Sequence, residues 1–382
     1  MPKSTTKTAK NSEAGLEDVV ACNSSICLVD GVDCRLLYRG YDIIDLAAHS
    51  TFEEVAYLLW YGRLPGLIEF QAFLDGFTGS MKLPVETVMI LRMFPHAATP
   101  MEVLRTAVSS LGHWDPDSGN TLLDACLRKA QRLTERIPLI ISSHQRLRDG
   151  KEPIKPLSNH SIAFNFLYTL RGAEPNPVMV KAMDTALILH ADHELNASTF
   201  AARVTAATMT DIYSAVTSAI AALKGPLHGG ANAEVMKMLA EIDSPEKAKE
   251  WVLPRLGKKM KIPGFGHRVY RCEDPRATVL RKAVQEITAL TGETRYYEIA
   301  QSVEQVMLAN SKVFPNVDFY SAPLYHAMAI PEELFTPIFA MSRVVGWTAH
   351  ILEQWKNNRL IRPTARYTGP SLTPYVDIGS RS

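Results

Sequence analysis

Glycine-punctuated loops carry most of the residue types that could do chemistry. One of them, KIPGFGHRVYRCEDPRA at 261–277, places two glycines before His267 and then Arg271 and Arg276. A phosphate-binding glycine loop normally opens directly into a helix, whereas these glycines lead into a histidine and arginines. Residues of these types suit the binding of an anionic substrate through hydrogen bonds and positive charge.

A second loop, GPLHGGANAEV at 225–235, could present a histidine to a ligand. Gly229 and Gly230 would let the backbone approach that ligand closely while His228 forms a hydrogen bond with it. The same residues also fit an ordinary helix start, with Asn232 as the cap. The residues alone leave both interpretations open.

Two histidines in LHADHE, residues 189–194, raise the possibility of a metal site. His190 and His193 are three residues apart, which places them on one face of a predicted helix, beside Asp192 and Glu194. The zinc-protease motif has its glutamate directly after the first histidine and its second histidine four residues on, and this stretch does not match it. Polar contacts to a substrate or within the core are favoured, and no metal is expected.

Three further residues each have a functional and an ordinary interpretation. Asp318 lies between Val317 and Phe319, and apolar neighbours raise the pKa of a carboxylate and suit it to proton abstraction, although spacing alone favours a turn-forming aspartate. Arg343 would need an anionic partner if its helix face is buried. Arg362 lies on a proline-interrupted tail that could reach a neighbouring subunit or remain solvated.

Composition limits the class of protein. The 382 residues suffice for two ordinary domains without disulfide or metal staples. Lys plus Arg number 41 and Asp plus Glu 40, so no net charge recruits nucleic acid or an anionic membrane, and the expected partner is a small molecule. No apolar run approaches the roughly 20 residues of a membrane span, and no signal or transit peptide is recognisable. The expectation is a soluble, cytoplasmic protein.

The cysteines predict no covalent framework. They number five, which is odd, and none belongs to a Cys-x-x-Cys pair. Neither a disulfide framework nor a thiolate zinc site is therefore indicated. Reduced thiols are expected.

Helices must position these residues, because helical periodicity recurs through most of the chain. One hairpin is predicted at 26–40, where Asp30-Gly31 suits a two-residue turn. Thr51 and Glu54 form a capping box ahead of an apolar helix. Strand candidates are too few for a sheet-centred fold. The sequence therefore predicts an all-α enzyme with one short N-terminal β-hairpin.

A Gly-Pro and an Ile-Pro pair bracket residues 225–330, which we expect to form a smaller helical domain. It would be inserted into a large helical domain formed by 1–224 and 331–382. Residues 1–15 are polar throughout and are expected to be a disordered tail.

Four groups of residues, taken in their order and spacing, resemble the motifs of citrate synthases. They are PLHGGAN, GFGHRVYRCEDPR, NVDFYSA and the pair AMSRVVGW and RPTARYTG, and the resemblance runs from about Arg35 to Gly369. The chain looks like the short, dimeric type. The related 2-methylcitrate synthases, which use propionyl-CoA, share the same motifs. Ala233 and Ala322 depart from the residues more usual in the family, Glu and Gly.

The resemblance implies a transferase of the tricarboxylic acid cycle that condenses acetyl-CoA with oxaloacetate and hydrolyses the thioester to citrate and CoA. Asp318 resembles the base that deprotonates the methyl group of acetyl-CoA, and His228 the donor to its thioester oxygen. His267 resembles the histidine that polarises the oxaloacetate carbonyl. By the same resemblance, oxaloacetate contacts fall on His193, Arg276, Arg343 and Arg362, and CoA contacts on Arg271, Gly264 and Gly266.

The resemblance also implies two domains that close over the substrates and a homodimer, in some members assembled further. Arg362 would enter the active site of the partner subunit. No cofactor is implied beyond acetyl-CoA as co-substrate, and no nucleic-acid or membrane partner.

Two other hypotheses stay open, one from a different enzyme class and one in which the protein is not an enzyme. A metal-dependent lyase or hydrolase could use HADHE with Asp318 or a distant histidine. A helical interaction scaffold would explain the helices but not the histidines and arginines on glycine-punctuated loops. The sequence does not choose between acetyl-CoA and propionyl-CoA, because one methylene shifts discrimination by only about 1 to 3 kcal/mol.

Overall fold

Helices make up most of the structure. The computed structural model describes residues 15–16, 19–77 and 81–381, and the predicted tail at 1–15 lies outside them except for Gly15. Within the described residues the chain forms sixteen α-helices and one small antiparallel sheet. The prediction of an all-α fold with a short N-terminal hairpin is confirmed.

The sheet is the predicted hairpin extended by a third short strand: β1 Cys27–Asp30, β2 Arg35–Tyr38 and β3 Tyr41–Asp42. The strands are antiparallel in the order β1-β2-β3, and Asp30 pairs with Arg35. The connection is therefore a four-residue loop, 31–34, and the predicted two-residue turn at Asp30-Gly31 is wrong. The Asp30 carboxylate closes this loop by accepting two of its backbone N–H groups at 2.9 Å each.

The hairpin loop, residues 31–34, packs on residues 267–272, a segment that contains Arg268 and Arg271. A Cβ atom at Gly31 would lie 2.3 Å from the carbonyl oxygen of Val269, so the glycine is required by this close approach. Cys34, the last residue of the loop, is joined to Cys272 as a disulfide. The prediction that the cysteines are reduced and form no disulfide is therefore wrong for this pair.

The helices fall into two groups along the chain. Before residue 225 they are α1 Ile43–His49, α2 Phe52–Tyr61, α3 Leu67–Phe77, α4 Val85–Met93, α5 Pro100–Leu111, α6 Leu123–Arg148, α7 Ile162–Arg171, α8 Pro177–His190, α9 Ala197–Ala206 and α10 Ile212–Leu223. After it they are α11 Ala231–Ile242, α12 Ala248–Gly257, α13 Pro275–Thr291, α14 Arg295–Asn310, α15 Val317–Ala327 and α16 Phe335–Lys356.

Side-chain caps set the starts of several helices. The Thr51 hydroxyl accepts the N–H of Glu54 at 3.3 Å before α2, which confirms the predicted cap. The Glu54 carboxylate accepts from the Ser50 hydroxyl at 2.6 Å instead of from the Thr51 backbone, so the reciprocal half of the predicted capping box is wrong. Asp274 and Asn316 cap α13 and α15 by accepting the N–H two residues further on. A cap satisfies an N–H group that the first helical turn leaves without a partner. These two residues therefore fix where two site-bearing helices begin.

α16 lies at the centre of the helices that precede residue 225, although it follows them in the chain. Most of its side chains from Phe335 to Ile351 are buried, and it packs against α2, α6, α8, α9 and α10. A helix that is apolar on nearly all sides is expected in such a position. Among the helices of the described chain, none has the length and apolarity needed to cross a lipid bilayer.

The helices from α11 to α15 pack extensively on one another. α13 and α11 both pack on α15, and α12 packs on α14. α13 also packs on α8 and α1, which joins this group to the rest of the structure. This grouping fits a small domain at 225–330 within a large domain of 1–224 and 331–382, and the division stays a prediction.

Candidate active site

Parts of α8, α11, α13, α15 and α16 meet around most of the predicted site residues. The ring centroids of His193 and His267 are 5.1 Å apart. The ring of Phe339 is near two of these side chains: the His228 ring centroid is 6.2 Å from its centroid, and the guanidinium carbon of Arg343 is 4.6 Å from it. The fold thus gathers side chains from distant parts of the sequence into one region.

His193 lies beyond the end of a helix. α8 ends at His190, so the prediction that the two histidines share one helix face is wrong. His190 contacts the Ala186 carbonyl through Nδ1 at 2.7 Å, which anchors it within the helix. Among the described residues, the buried Nε2 atom of His193 has no hydrogen-bond partner. Burial and the nearby charge of Arg276 hold the pKa of His193 well below its usual range, so the ring is neutral and able to bind a ligand.

His228 precedes α11 and has a defined hydrogen-bonding state. Its Nε2 lies 2.8 Å from the Ser198 hydroxyl and accepts the Ser198 backbone N–H at 3.3 Å. The backbone N–H that Nε2 accepts assigns the proton to Nδ1, because a neutral imidazole has one donor nitrogen and one acceptor nitrogen. Burial, with a smaller effect of Arg343, lowers the pKa of His228 to about 4. His228 is therefore a neutral Nδ1–H donor near neutral pH.

Neither interpretation of the loop before α11 describes the roles of Gly229 and Asn232: Asn232 does not cap the helix, and Gly229 packs on the protein's own backbone. α11 begins at Ala231 without a side-chain cap, so Asn232 is not the cap. Its buried amide has no hydrogen-bond partner in the part of the chain that the structure describes. A Cβ atom at Gly229 would lie 2.4 Å from the carbonyl oxygen of Leu223. The close approach that Gly229 allows is therefore to the protein backbone.

His267 has the opposite tautomer from His228. Its Nδ1 accepts the backbone N–H groups of Val269 at 3.0 Å and Tyr270 at 3.1 Å. Nε2 must therefore carry the proton and is the atom available to donate. Burial, followed by the charge of Arg276, lowers the pKa of His267 to about 4. The ring of Tyr270 lies 4.5 Å from that of His267, and no described residue forms a hydrogen bond with the buried Tyr270 hydroxyl.

Asp318 is in the first turn of α15 and its carboxyl group is partly desolvated. Burial raises the pKa of Asp318 to about 6, and the charge of Arg276 opposes that rise. The apolar neighbours noted in the sequence contribute to this environment, since Phe319 is buried. A carboxylate with a pKa near 6 is ionised at pH 7 and is a stronger base than an ordinary aspartate. The group is suited to removing a proton from carbon.

Asn316 and two glycines hold the His267 loop against α15. The Asn316 backbone N–H donates to the Gly264 carbonyl at 2.9 Å, and its side-chain amide donates to the Gly266 carbonyl at 2.9 Å. At Gly264, where φ is +78°, a Cβ atom would lie 2.7 Å from the Phe319 ring. Glycine at this position lets the loop lie directly on the helix that carries the candidate base.

The two buried arginines are held in different ways. Arg343 donates from Nε to the His190 carbonyl at 2.6 Å, and burial lowers its pKa while the charge of Asp192 opposes that shift. Arg276 forms a bidentate ion pair with Asp274, from Nε at 2.9 Å and from Nη2 at 2.7 Å. Burial acts to lower the pKa of Arg276, but the Asp274 carboxylate outweighs it and raises that pKa. Both side chains therefore carry positive charge at fixed positions in the site.

Arg362 and Arg271 are not gathered with the others. Both side chains are exposed, and Arg362 lies on the segment that follows α16. Within the described residues Arg362 forms no hydrogen bond or ion pair. The backbone N–H of Arg271 donates to the Gly31 carbonyl at 3.1 Å, so its main chain is fixed while its side chain faces outward.

A cavity of about 650 Å³ adjoins His267. Apolar side chains such as Ile262, Phe265 and Met307 line it together with the backbone of Gly266. Lys261 and Arg268 also line it, so cations accompany an apolar wall. A ligand with a flat apolar part and anionic groups would fit such a cavity. Gly264 is not among the lining residues, because it packs on Phe319 instead.

Sequence reasoning missed four residues that organise the site: Ser198, Tyr270, Asp274 and Asn316. Asp274 and Asn316 had a usable signal, since each precedes a predicted helix and belongs to a residue type favoured at N-caps. Ser198 and Tyr270 had none, because their roles depend on contacts made only in the folded chain. No group of three or more His, Cys, Asp or Glu side chains in the described part of the chain is arranged to hold a metal ion.

Comparison with known proteins gives one consistent family. The family model described as "Citrate synthase, C-terminal domain" matches residues 15–364. The chain is 50% identical over 369 residues to "Citrate synthase 2" of Bacillus subtilis, covering 96% of this chain and 99% of the relative. It is 41% identical to a "2-methylcitrate synthase" of Shewanella oneidensis, covering 96% and 98%. The solved citrate synthase of Pyrobaculum aerophilum superimposes with a TM-score of 0.92 at 42% identity, covering 96% of this chain and 95% of that one. This chain therefore belongs to the citrate synthase family.

Proposed function

We propose that this chain condenses acetyl-CoA with oxaloacetate and hydrolyses the resulting thioester to release citrate and CoA. The observation that carries the proposal is two neutral histidines of opposite tautomer and a carboxylate of raised pKa around the same two buried arginines. Arg343 acts on His228, Arg276 acts on His267, and both act on Asp318. A condensation of two carbonyl compounds needs one base and two separate carbonyl donors. The gathered residues supply these three functions. The enzyme would be a transferase that converts an acyl group into an alkyl group on transfer.

In the first step Asp318 takes a proton from the methyl group of acetyl-CoA. That carbon is weakly acidic, so the developing negative charge on the thioester oxygen must be stabilised as the proton leaves. The Nδ1–H of His228 is the candidate donor to that oxygen, because Ser198 already occupies Nε2. A neutral imidazole suits this task, because its N–H group can donate a hydrogen bond to the oxygen of the enol or enolate.

In the second step the nucleophilic carbon attacks the carbonyl of oxaloacetate. The Nε2–H of His267 is the candidate donor that polarises this carbonyl and protonates the new alkoxide. His193, Arg276 and Arg343 would bind the two carboxylates of oxaloacetate. Arginine is well matched to a carboxylate because its planar fork offers two parallel hydrogen bonds.

The cavity beside His267 is the best candidate for part of the CoA site. Its apolar wall and the Gly266 backbone suit the adenine ring, while Lys261 and Arg268 would attract phosphate groups. Arg271 remains a candidate phosphate contact because its side chain is exposed on the same loop. Gly264 would act indirectly, by letting this loop pack against α15. No cofactor is proposed beyond acetyl-CoA as co-substrate.

The experiment that tests this function follows the loss of thioester absorbance with oxaloacetate. We expect turnover with acetyl-CoA to exceed turnover with propionyl-CoA. The protein's own thiols would complicate a thiol-trapping assay, so the direct absorbance measurement is preferable. A clear preference for propionyl-CoA would identify a 2-methylcitrate synthase with the same residues in the same roles. No loss with either thioester would contradict the proposal.

The segment after α16 supports a homodimer with shared active sites. From Leu360 to Arg381 all residues except Ile361 are exposed. The segment nevertheless contains large apolar side chains that are more than half exposed: Leu360, Tyr367, Leu372, Tyr375 and Ile378. Exposed apolar side chains in such number are typical of a surface that contacts another chain. Arg362 lies at the start of this segment and would complete the oxaloacetate site of the partner subunit.

A mixed dimer tests the sharing of sites. Asp318→Asn and Arg362→Ala each inactivate both sites of their own homodimer if every site combines Asp318 of one subunit with Arg362 of the other. Their co-expression should then recover about one quarter of wild-type activity, because random pairing makes half of the dimers mixed and each mixed dimer contains one intact site. Steady-state turnover of the purified mixture is the measurement. Absence of any recovery would mean that each subunit is self-sufficient.

A further inference from the structure

Cys34 and Cys272 link two parts of the chain that lie 238 residues apart. Their Cα atoms are 6.2 Å apart, within the usual range for a disulfide. The other three cysteines, Cys22, Cys27 and Cys126, are free thiols. One cysteine pair is thus singled out from the five by its position in the fold.

The two cysteines are held together by more than their own bond. The Gly31 carbonyl in the hairpin loop accepts the N–H of Arg271, directly before Cys272, at 3.1 Å. Gly31 also packs so closely on Val269 that no Cβ atom would fit between them. These contacts do not depend on sulfur. The reduced protein would therefore keep the two thiols adjacent, and the disulfide can form and break without refolding of the chain.

The bond is attached to the segment that carries the candidate carbonyl donor. Cys272 is five residues after His267 and two before Asp274, which holds Arg276 in its buried ion pair. The backbone between His267 and Cys272 orients the His267 ring, because the N–H groups of Val269 and Tyr270 donate to its Nδ1 atom. A covalent tie at Cys272 therefore restrains the segment that must admit and release substrates.

We propose that Cys34 and Cys272 form a reversible thiol–disulfide site, exchanging with small disulfides and thiols, and that its oxidation slows turnover by tethering the His267 segment to the hairpin loop. The effect on turnover rests on the proposed function. Neither cysteine is fully buried, so small reagents can reach the pair. Accessible thiols are the ones that take part in exchange.

The exchange balances with a low-molecular-weight disulfide as oxidant. One thiolate of the pair attacks the small disulfide, forms a mixed disulfide and expels one small thiol. The second thiolate then attacks the mixed disulfide, closes the Cys34–Cys272 bond and expels the other small thiol. Two electrons pass from the protein to the small disulfide, and the two protons lost by the cysteines end on the two thiols released. A dithiol reductant reverses both steps.

The tether should affect release more than binding. In the linked structure the His267 ring already lies beside His193, so the site residues are assembled. Opening of an active-site segment often limits product release. We therefore expect the oxidised protein to show a lower kcat with a KM for oxaloacetate that is unchanged or lower.

The test compares the full-length protein after equilibration with oxidised glutathione or with dithiothreitol. Mass spectrometry of a non-reducing digest should find the Cys34–Cys272 linked peptide only in the oxidised sample. The kcat should fall several-fold on oxidation and return with dithiothreitol. Cys34→Ser and Cys272→Ser should both lose this response while keeping the activity of the reduced wild type. Cys126→Ser, a matched control at a free cysteine, should keep the response.

Three outcomes would overturn the proposal. Absence of the linked peptide at every glutathione ratio would eliminate the exchange site. A linked peptide with the same kcat and KM in both states, or an equal response in Cys34→Ser, would eliminate the control of turnover by this pair. An inactive reduced protein would instead contradict the proposed function, and the linked peptide would still establish the exchange site.

Discussion

Replacing Asp318 with Asn should lower kcat by on the order of 10³-fold, within the range expected when a general base is removed. The amide has nearly the same shape as the carboxyl group but cannot accept the proton of the acetyl-CoA methyl group. The measurement is the rate of thioester loss at saturating oxaloacetate and acetyl-CoA. Substantial residual turnover would show that another group is the base.

Binding of oxaloacetate separates lost chemistry from lost structure in this variant. The arginines proposed to bind oxaloacetate are unchanged, so oxaloacetate should still raise the melting temperature of Asp318→Asn as it does that of the wild type. Asp45→Asn is a matched control, because Asp45 is an exposed aspartate in the first turn of α1. It should leave both turnover and melting temperature unchanged.

The pH profile of the wild type is the companion measurement. The pKa of Asp318 is raised to about 6, and only its ionised form can accept a proton. As pH falls below about 6, kcat/KM should therefore fall about tenfold per pH unit. His228 and His267, with pKa values lowered to about 4, remain neutral donors down to about pH 5 and add no loss there. An acid limb centred near the ordinary aspartate pKa would contradict the assignment.

Replacing His228 with Ala should lower kcat by about 10²- to 10³-fold, the usual effect of losing one donor to a developing oxyanion. The variant keeps Asp318, His267 and the buried arginines, so oxaloacetate should still protect it against thermal unfolding. Turnover with acetyl-CoA at saturating oxaloacetate is the measurement. A loss confined to KM would mean that His228 only binds the substrate.

Two further variants distinguish the donor from its support. Ser198→Ala removes the hydroxyl that contacts Nε2 but keeps the backbone N–H that fixes the tautomer, so its loss of kcat should be smaller than that of His228→Ala. His49→Ala is the matched control, since His49 is exposed at the end of α1. A loss in Ser198→Ala as large as that in His228→Ala would indicate that the hydroxyl takes part directly.

Local patterns in the sequence were enough for the fold class and for most of the candidate site. Helical periodicity and the scarcity of strand patterns predict an all-α chain, because these signals depend on neighbours within a few residues. Thr51 is confirmed as a cap for the same reason. The order and spacing of the four motifs led to the family and to His228, His267 and Asp318.

Other local inferences failed where a contact from elsewhere in the chain decides the backbone. The sequence pattern predicts a helix through His193, but α8 ends at His190 and His193 lies beyond it. Gly31 appeared to be a turn glycine, but the carbonyl of Val269 is what requires it. Asn232 does not cap α11. In each case the sequence pattern was compatible with two structures, and tertiary packing selected one.

The sequence by itself determined which residue types are available, where most helices run and which family the chain belongs to. Only the tertiary structure decided their chemical states: which nitrogen of His228 and of His267 carries the proton, how far burial raises the pKa of Asp318, and that Cys34 lies beside Cys272. The physical reason is range. Helix propensity and capping act over a few residues, whereas desolvation, hydrogen-bonded tautomers and disulfide pairing depend on groups that meet only when the chain folds.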